Sequence, residues 1–73
     1  MQEIQKIALS KSINEWQILA RNTSDLNKAF YYNALKRLAE ALQAENESEI
    51  ETWTFNAEEL ENYIKIKELE PKG

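Results

Sequence analysis

Cysteine and histidine are both absent from this 73-residue chain, and glycine and proline occur once each, at Gly73 and Pro71. Without cysteine and histidine the chain cannot form disulfides, zinc fingers, thiol nucleophiles or imidazole acid–base pairs. Without internal glycine it has neither a glycine-rich phosphate-binding loop nor a glycine-containing tight hairpin turn. We therefore expect no catalytic residues, no cofactor and no metal, and a protein that is not an enzyme.

Long apolar runs are also absent. No stretch approaches the roughly 20 consecutive apolar residues of a membrane span, and the N-terminal sequence has no apolar run of signal-peptide length. We therefore expect a cytoplasmic protein that does not bind membranes. A chain of this length buries only about 60% of its unfolded surface. We expect one small domain over residues 1–70, a flexible tail at 71–73, and further stabilisation through a homodimer.

Charge is distributed unevenly along the chain. Residues 1–44 carry six Lys/Arg and four Asp/Glu, whereas residues 45–73 carry nine Glu and three Lys, for a net charge of −4. This acidity disfavours nucleic-acid binding, which draws on phosphate neutralisation. Glu45, Glu47, Glu49 and Glu51 alternate, and all four would share one face of an extended segment. They lack the turn geometry of a calcium loop, so we interpret them as a solvated acidic rim.

Helical patterns dominate residues 1–45. Apolar residues of segment 2–22 fall on two sides of a helical wheel, and Ser12 precedes Glu15 in capping-box spacing. This favours helices at 2–10 and 13–22, with one uninterrupted helix as the alternative. Residues 25–45 form the strongest predicted helix, capped by Thr23, Ser24 or Asp25 and ended by Asn46.

The remaining segment gives conflicting signals. "IETWTF" alternates as a strand does, which predicts an extended segment at 50–55. Asn56 is then a candidate N-cap, and Phe55 with Leu60 has the spacing of a hydrophobic staple, which predicts a helix from residue 56. "NYIKIKELE" alternates again, so residues 62–69 could be helix or strand.

Two folds follow from these patterns. The favoured fold is mainly α, a bundle of three or four helices with the short extended segment at 50–55. The alternative is three helices plus a C-terminal β-hairpin that pairs residues 49–55 with 62–69. That α+β arrangement resembles a winged helix in outline.

These folds suggest two functions. The favoured one is a non-enzymatic, self-associating protein-interaction module, by analogy a small bacterial or phage regulator, inhibitor or adaptor. It would bind a basic or nucleic-acid-binding protein through six candidate residues: Trp53, Phe55, Tyr32, Glu47, Glu49 and Glu51. The alternative is a nucleic-acid-binding regulator that uses a basic face of helix 25–45: Lys28, Tyr32, Lys36 and Arg37. Whether Trp53 is covered by a hairpin, a second chain or a partner stays open.

Overall fold

A computed structural model describes residues 1–69 of the protein and shows a compact bundle of four helices. They are α1 (Glu3–Leu9), α2 (Ile13–Asn22), α3 (Leu26–Ala44) and α4 (Glu47–Leu69). Helix α3 packs against each of the other three, and α1 also packs against α4. The tail predicted at 71–73 and the end of the predicted domain at residue 70 lie outside the described residues.

The predicted break between the first two helices is confirmed. The Ser12 hydroxyl accepts a hydrogen bond from the Glu15 backbone N–H at 3.2 Å, which caps α2. Across the break, the Trp16 indole Nε1–H donates to the Ala8 carbonyl oxygen at 2.8 Å. That carbonyl belongs to the last turn of α1, where helical acceptors lack an internal partner.

Helix α3 matches the strongest prediction, and its two ends explain its length. At its start the Asp25 carboxylate accepts from the backbone N–H groups of Asn27 and Lys28, at 2.9 and 3.3 Å. At its end Glu45 adopts a left-handed conformation with φ 55°. Its N–H and that of Asn46 bond back to the carbonyls of Leu42 and Ala41. These paired bonds form a Schellman motif, so Glu45 rather than Asn46 ends α3.

The extended segment predicted at 50–55 is wrong, and so is the hairpin of 49–55 with 62–69. Residues 47–69 form one helix, α4, which begins where the Asn46 side chain accepts from the Glu49 N–H at 3.3 Å. The predicted cap at Asn56 and the staple at Phe55 therefore fall inside a helix.

The physical reason is that packing overrides local strand propensity. Threonine and aromatic residues favour strands, but α4 also carries a helical stripe that packs towards the core: Ile50, Trp53, Thr54, Ala57 and Leu60. Two acidic residues in its first turn, Glu47 and Glu49, also suit the positive end of the helix dipole.

The core lies where α1, α2 and α4 meet α3. Leu35 and Leu38 are its largest fully buried side chains. Around them lie the remaining buried members of the cluster: Ile4, Ala8, Trp16, Ala34, Ala39 and Ala57. Because several of these are alanines, the helices can approach closely. None of the helices within residues 1–69 combines the length and the apolar character needed to cross a bilayer.

Candidate protein-interaction surface

The continuous helix α4 separates the two aromatic residues that the strand pattern had placed together. In a strand Trp53 and Phe55 would share one face, but two residues along a helix turn by about 200°. Trp53 is half-buried and packs against the core, whereas Phe55 is 62% exposed. Of this pair, Phe55 is the side chain available at the surface.

The three acidic candidates also lie on different sides of α4. Glu47, Glu49 and Glu51 are all exposed. Glu47 and Glu51 lie one turn apart on the Phe55 side of α4, while Glu49 is rotated by about 200° from Glu47. The three carboxylates therefore do not form one rim, and only two of them flank Phe55.

A groove between α1 and α4 runs beside Phe55 and has a volume of about 210 Å³. The Gln5 side-chain amide donates to the buried Thr54 hydroxyl oxygen at 3.2 Å and so links the two helices at this groove. The groove is lined by Gln2, Gln5, Ile50, Glu51, Thr54, Phe55 and Glu58. Glu58 also lines an adjoining hollow of about 230 Å³ together with Glu3 of α1.

Five residues define this surface, which we call the acidic α1–α4 face: Glu3, Glu47, Glu51, Phe55 and Glu58. None of its four carboxylates lies within ion-pair distance of a lysine or arginine among residues 1–69. The face thus presents an exposed aromatic ring beside charges that the described chain does not neutralise. Such a surface suits a partner segment in which a lysine or arginine lies next to an apolar side chain.

Two members of the face were not predicted. Glu58 lies eleven residues after Glu47 and seven after Glu51, a spacing that indicates a shared helical face once 47–58 is taken as helix. Glu3 could not be found in this way, because its approach to Glu58 depends on how α1 packs against α4.

Tyr32, predicted for both functions, joins the aromatic part of the interior. Its ring stacks on Trp16 with centroids 5.9 Å apart and an interplanar angle of 28°, and Tyr31 lies at the same centroid distance on α3. The side chain is half-buried. This places Tyr32 apart from Phe55 and makes it a packing residue between α2 and α3.

Three residues of the basic candidate face, Lys28, Tyr32 and Lys36, lie on one side of α3, where Lys28 and Tyr32 line a groove against α4, and Arg37 lies apart from them. Lys28 pairs with Glu68 of α4, with Nζ and Oε1 3.9 Å apart. Tyr32 packs on Trp16, Lys36 is half-buried, and exposed Arg37 is rotated by about 100° from Lys36. The hairpin that a winged helix requires is replaced by α4 within residues 1–69.

A polar cluster links α3 to α4 beside the acidic α1–α4 face, because its Glu61 lines the same hollow as Glu3 and Glu58. The Tyr31 hydroxyl donates to Glu61 Oε2 at 3.4 Å, and Glu61 Oε1 pairs with Lys65 Nζ at 2.7 Å. Burial, and then the Glu61 charge and hydrogen bond and the neighbouring Tyr32, raise the pKa of Tyr31 from 10.0 to about 12. The phenol therefore stays protonated as a donor. In residues 1–69 no group of three or more carboxylates is arranged to hold a metal ion.

Comparison of the chain with protein-family models, with curated proteins and with solved structures finds no match. The acidic α1–α4 face and the packing around it therefore supply the grounds for a functional assignment.

Proposed function

We propose that this protein is a non-enzymatic interaction module, a small acidic regulator or adaptor, that binds a basic segment of another protein on its acidic α1–α4 face. The observation that carries the proposal is the exposed Phe55 ring, which lies in a groove between two helices beside carboxylates that no described lysine or arginine neutralises. The proposal includes a cytoplasmic location, because secreted domains this small usually rely on disulfides and this chain has no cysteine.

Charge complementarity supports a basic partner. Residues 47–61 contain six glutamates and no lysine or arginine. The electrostatic field of such a group of like charges attracts an oppositely charged partner and raises its association rate. The best-fitting ligand is an amphipathic segment that places an apolar side chain on Phe55 and directs lysine or arginine towards Glu51 and Glu58.

The proposal also accounts for the apolar part of the face. A protein interface usually contains a buried aromatic or aliphatic contact surrounded by a polar rim. Phe55 has the position of that central contact, with Glu47 and Glu51 on one side along α4 and Glu58 on the other. Thr54 and Gln5 hold the groove between the helices by their hydrogen bond, so the site is formed before a partner arrives.

The test compares two charge reversals in the first turn of α4. Glu47→Lys and Glu49→Lys both place a lysine near the helix N-terminus and so carry the same helix-dipole penalty. Only Glu47 lies on the Phe55 side. Proteins retained by the immobilised wild-type chain are identified, and the affinity of each for the two variants and for Phe55→Ala is then measured.

We expect a partner that binds Glu49→Lys as tightly as wild type but binds Glu47→Lys about fivefold more weakly. Phe55→Ala should weaken the same complex by about tenfold or more, the typical effect of truncating a central contact residue. Equal effects of the two lysine variants, or a partner indifferent to Phe55→Ala, would contradict the proposal.

A further inference from the structure

A line of exposed side chains continues along α4 beyond Phe55. Its members have the spacing i, i+4, i+7 and i+11 of one helical face, and each is exposed: Phe55, Glu59, Asn62 and Ile66. We call them the outer flank of α4. Eleven residues turn a helix by three full turns and about 20°, so Phe55 and Ile66 lie on the same side of α4, about 16 Å apart along its axis.

The rest of the bundle leaves the outer flank open. Ala57 is buried in the core cluster and lies about 200° around α4 from Phe55, so the core-facing side and the outer flank are opposite. Helix α1 borders the flank, because its Glu3 shares a hollow with Asn62. Phe55 and Ile66 are 62% and 58% exposed. Both apolar side chains are therefore accessible to a partner.

We propose that the partner segment bound by the acidic α1–α4 face is an α-helix that lies along the outer flank, antiparallel to α4. This inference rests on the proposed function and names the form of its ligand. The partner helix places two apolar side chains, eleven residues apart, on Phe55 and Ile66. It carries its lysine or arginine residues in its C-terminal turns.

A helical partner fits because α4 offers no backbone hydrogen bonds to an extended one. An extended segment binds best at the edge of a sheet, where unpaired N–H and C=O groups meet its own. Residues 1–69 contain no strand, and α4 bonds the backbone groups of its middle turns internally. A helix satisfies its own backbone groups and requires only side-chain contacts from the flank.

The charges along α4 favour one direction for the partner helix. Residues 47–61 contain six glutamates and no lysine or arginine, and Lys65 and Lys67 follow them. Lysine and arginine stabilise the C-terminal turns of a helix through its dipole. An antiparallel partner brings such turns to Glu47 and Glu51, and it also places opposite dipole ends together. A parallel partner would carry the same basic turns towards the lysine-containing end of α4.

The middle of the outer flank is polar, which restricts the partner sequence. Glu59 and Asn62 lie four and seven residues after Phe55. In the antiparallel arrangement they face the partner residues four and seven positions before the one on Phe55. We expect lysine or arginine opposite Glu59 and a hydrogen-bonding side chain opposite Asn62, because a polar group buried without a partner is unfavourable.

The first experiment tests the spacing of the two apolar contacts with synthetic peptides. Both probes are alanine-rich helices of about 20 residues with lysines in the last two turns. One has two leucines eleven residues apart. The other has the same composition with the leucines nine residues apart, on opposite sides of the helix. Circular dichroism verifies that the two peptides are equally helical.

Each peptide is titrated into the isotope-labelled full chain, and NMR gives its dissociation constant. We expect the peptide with eleven-residue spacing to bind at least about fivefold more tightly, with amide shifts between Glu51 and Ile66. Equal affinities of the two peptides would overturn the inference, as would no binding of either at millimolar concentration.

Two serine variants test the second contact. Ile66→Ser should reduce the advantage of eleven-residue spacing to less than about twofold. The matched control is Ile18→Ser, which changes the same residue type at 48% exposure on α2. Helix α2 packs against α3 and not against α4 within residues 1–69, so this variant should keep the full advantage. Equal effects of the two variants, with both proteins folded by circular dichroism, would overturn the inference.

A spin label on the C-terminus of the tighter peptide tests its direction. The label should broaden the amide signals of Glu47 and Glu51 more than that of Ile66. Stronger broadening at Ile66 would overturn the antiparallel arrangement.

The proposed function is tested separately, by the contrast between Glu47→Lys and Glu49→Lys with the native partner. A partner that shows this contrast but binds Ile66→Ser as tightly as wild type would overturn the helix inference and leave the proposed function in place. If no partner shows the contrast, the proposed function fails whatever the peptides do.

Discussion

The indole N–H of Trp16 donates to the carbonyl oxygen of Ala8 at 2.8 Å, inside the protein. This bond crosses the break between α1 and α2 and satisfies an acceptor at the end of α1. The Trp16 side chain is also stacked against Tyr32 of α3. One residue of α2 thus holds α1 by a hydrogen bond and α3 by ring packing.

Replacing Trp16 should therefore lower the free energy of unfolding by more than the loss of side-chain volume alone would. Trp16→Phe keeps an aromatic ring but leaves the buried Ala8 carbonyl without a donor, which should lower the free energy of unfolding by about 2 kcal/mol. Trp53→Phe is the matched control, because the Trp53 indole has no hydrogen-bond acceptor among residues 1–69. Trp53→Phe should lower the free energy of unfolding clearly less, as measured by urea denaturation followed by circular dichroism. Equal losses would show that the Trp16 hydrogen bond contributes little.

The end of α3 offers a stabilising substitution. Glu45 is held at φ 55°, a conformation that glycine adopts without steric cost. Glu45→Gly should raise the free energy of unfolding by up to about 1 kcal/mol. Ala44→Gly, one residue earlier in the helix, should lower it by about 0.5–1 kcal/mol. If both substitutions destabilise the protein alike, the left-handed assignment at Glu45 is wrong.

The start of α4 can be tested with two asparagines. Asn46 caps the helix through its side chain, so Asn46→Ala should cost about 1 kcal/mol. Asn56 lies inside the helix, where alanine has the better propensity, so Asn56→Ala should be neutral or stabilising by a few tenths of a kcal/mol. Chemical denaturation of the two variants gives both values. The opposite order would indicate that the helix begins at residue 56.

Alkaline pH should weaken the fold through Tyr31. Its pKa is raised from 10.0 to about 12, so the folded state holds the phenol proton more tightly than the unfolded state. The stability contributed by the neutral phenol is fully present below about pH 10 and is lost as the pH rises towards about 12. Urea midpoints measured across this range should fall more steeply for wild type than for Tyr31→Phe. If the urea midpoints of the two proteins fall equally with pH, ionisation of Tyr31 does not account for the loss of stability.

Much of the first half of the fold could be predicted because its signals are local. Ser12 and Asp25 cap the helices that follow them, and the apolar stripe of α3 has helical spacing over the whole element. Each of these features acts within a few residues of sequence, so no knowledge of packing was required.

The second half could not be predicted in the same way. The alternation of Thr52, Trp53, Thr54 and Phe55 favours a strand locally, and only packing against α3 and α1 selects the helix that buries Thr54 and leaves Phe55 outside. The predicted candidate site was wrong for the same reason. Successive side chains turn by 180° in a strand and by 100° in a helix, and this angle decides which of Trp53, Phe55 and the glutamates lie on the same side.

The central claim is that α4 is one helix that packs Trp53 against the core and leaves Phe55 exposed at the surface. The most direct test is the free energy of unfolding of Trp53→Ala and Phe55→Ala, measured by urea denaturation. Trp53→Ala should cost about 2–3 kcal/mol, because a side chain packed on the core is truncated. Phe55→Ala should change stability by less than about 0.5 kcal/mol, as at other exposed positions. A Phe55→Ala loss as large as that of Trp53→Ala would contradict the account.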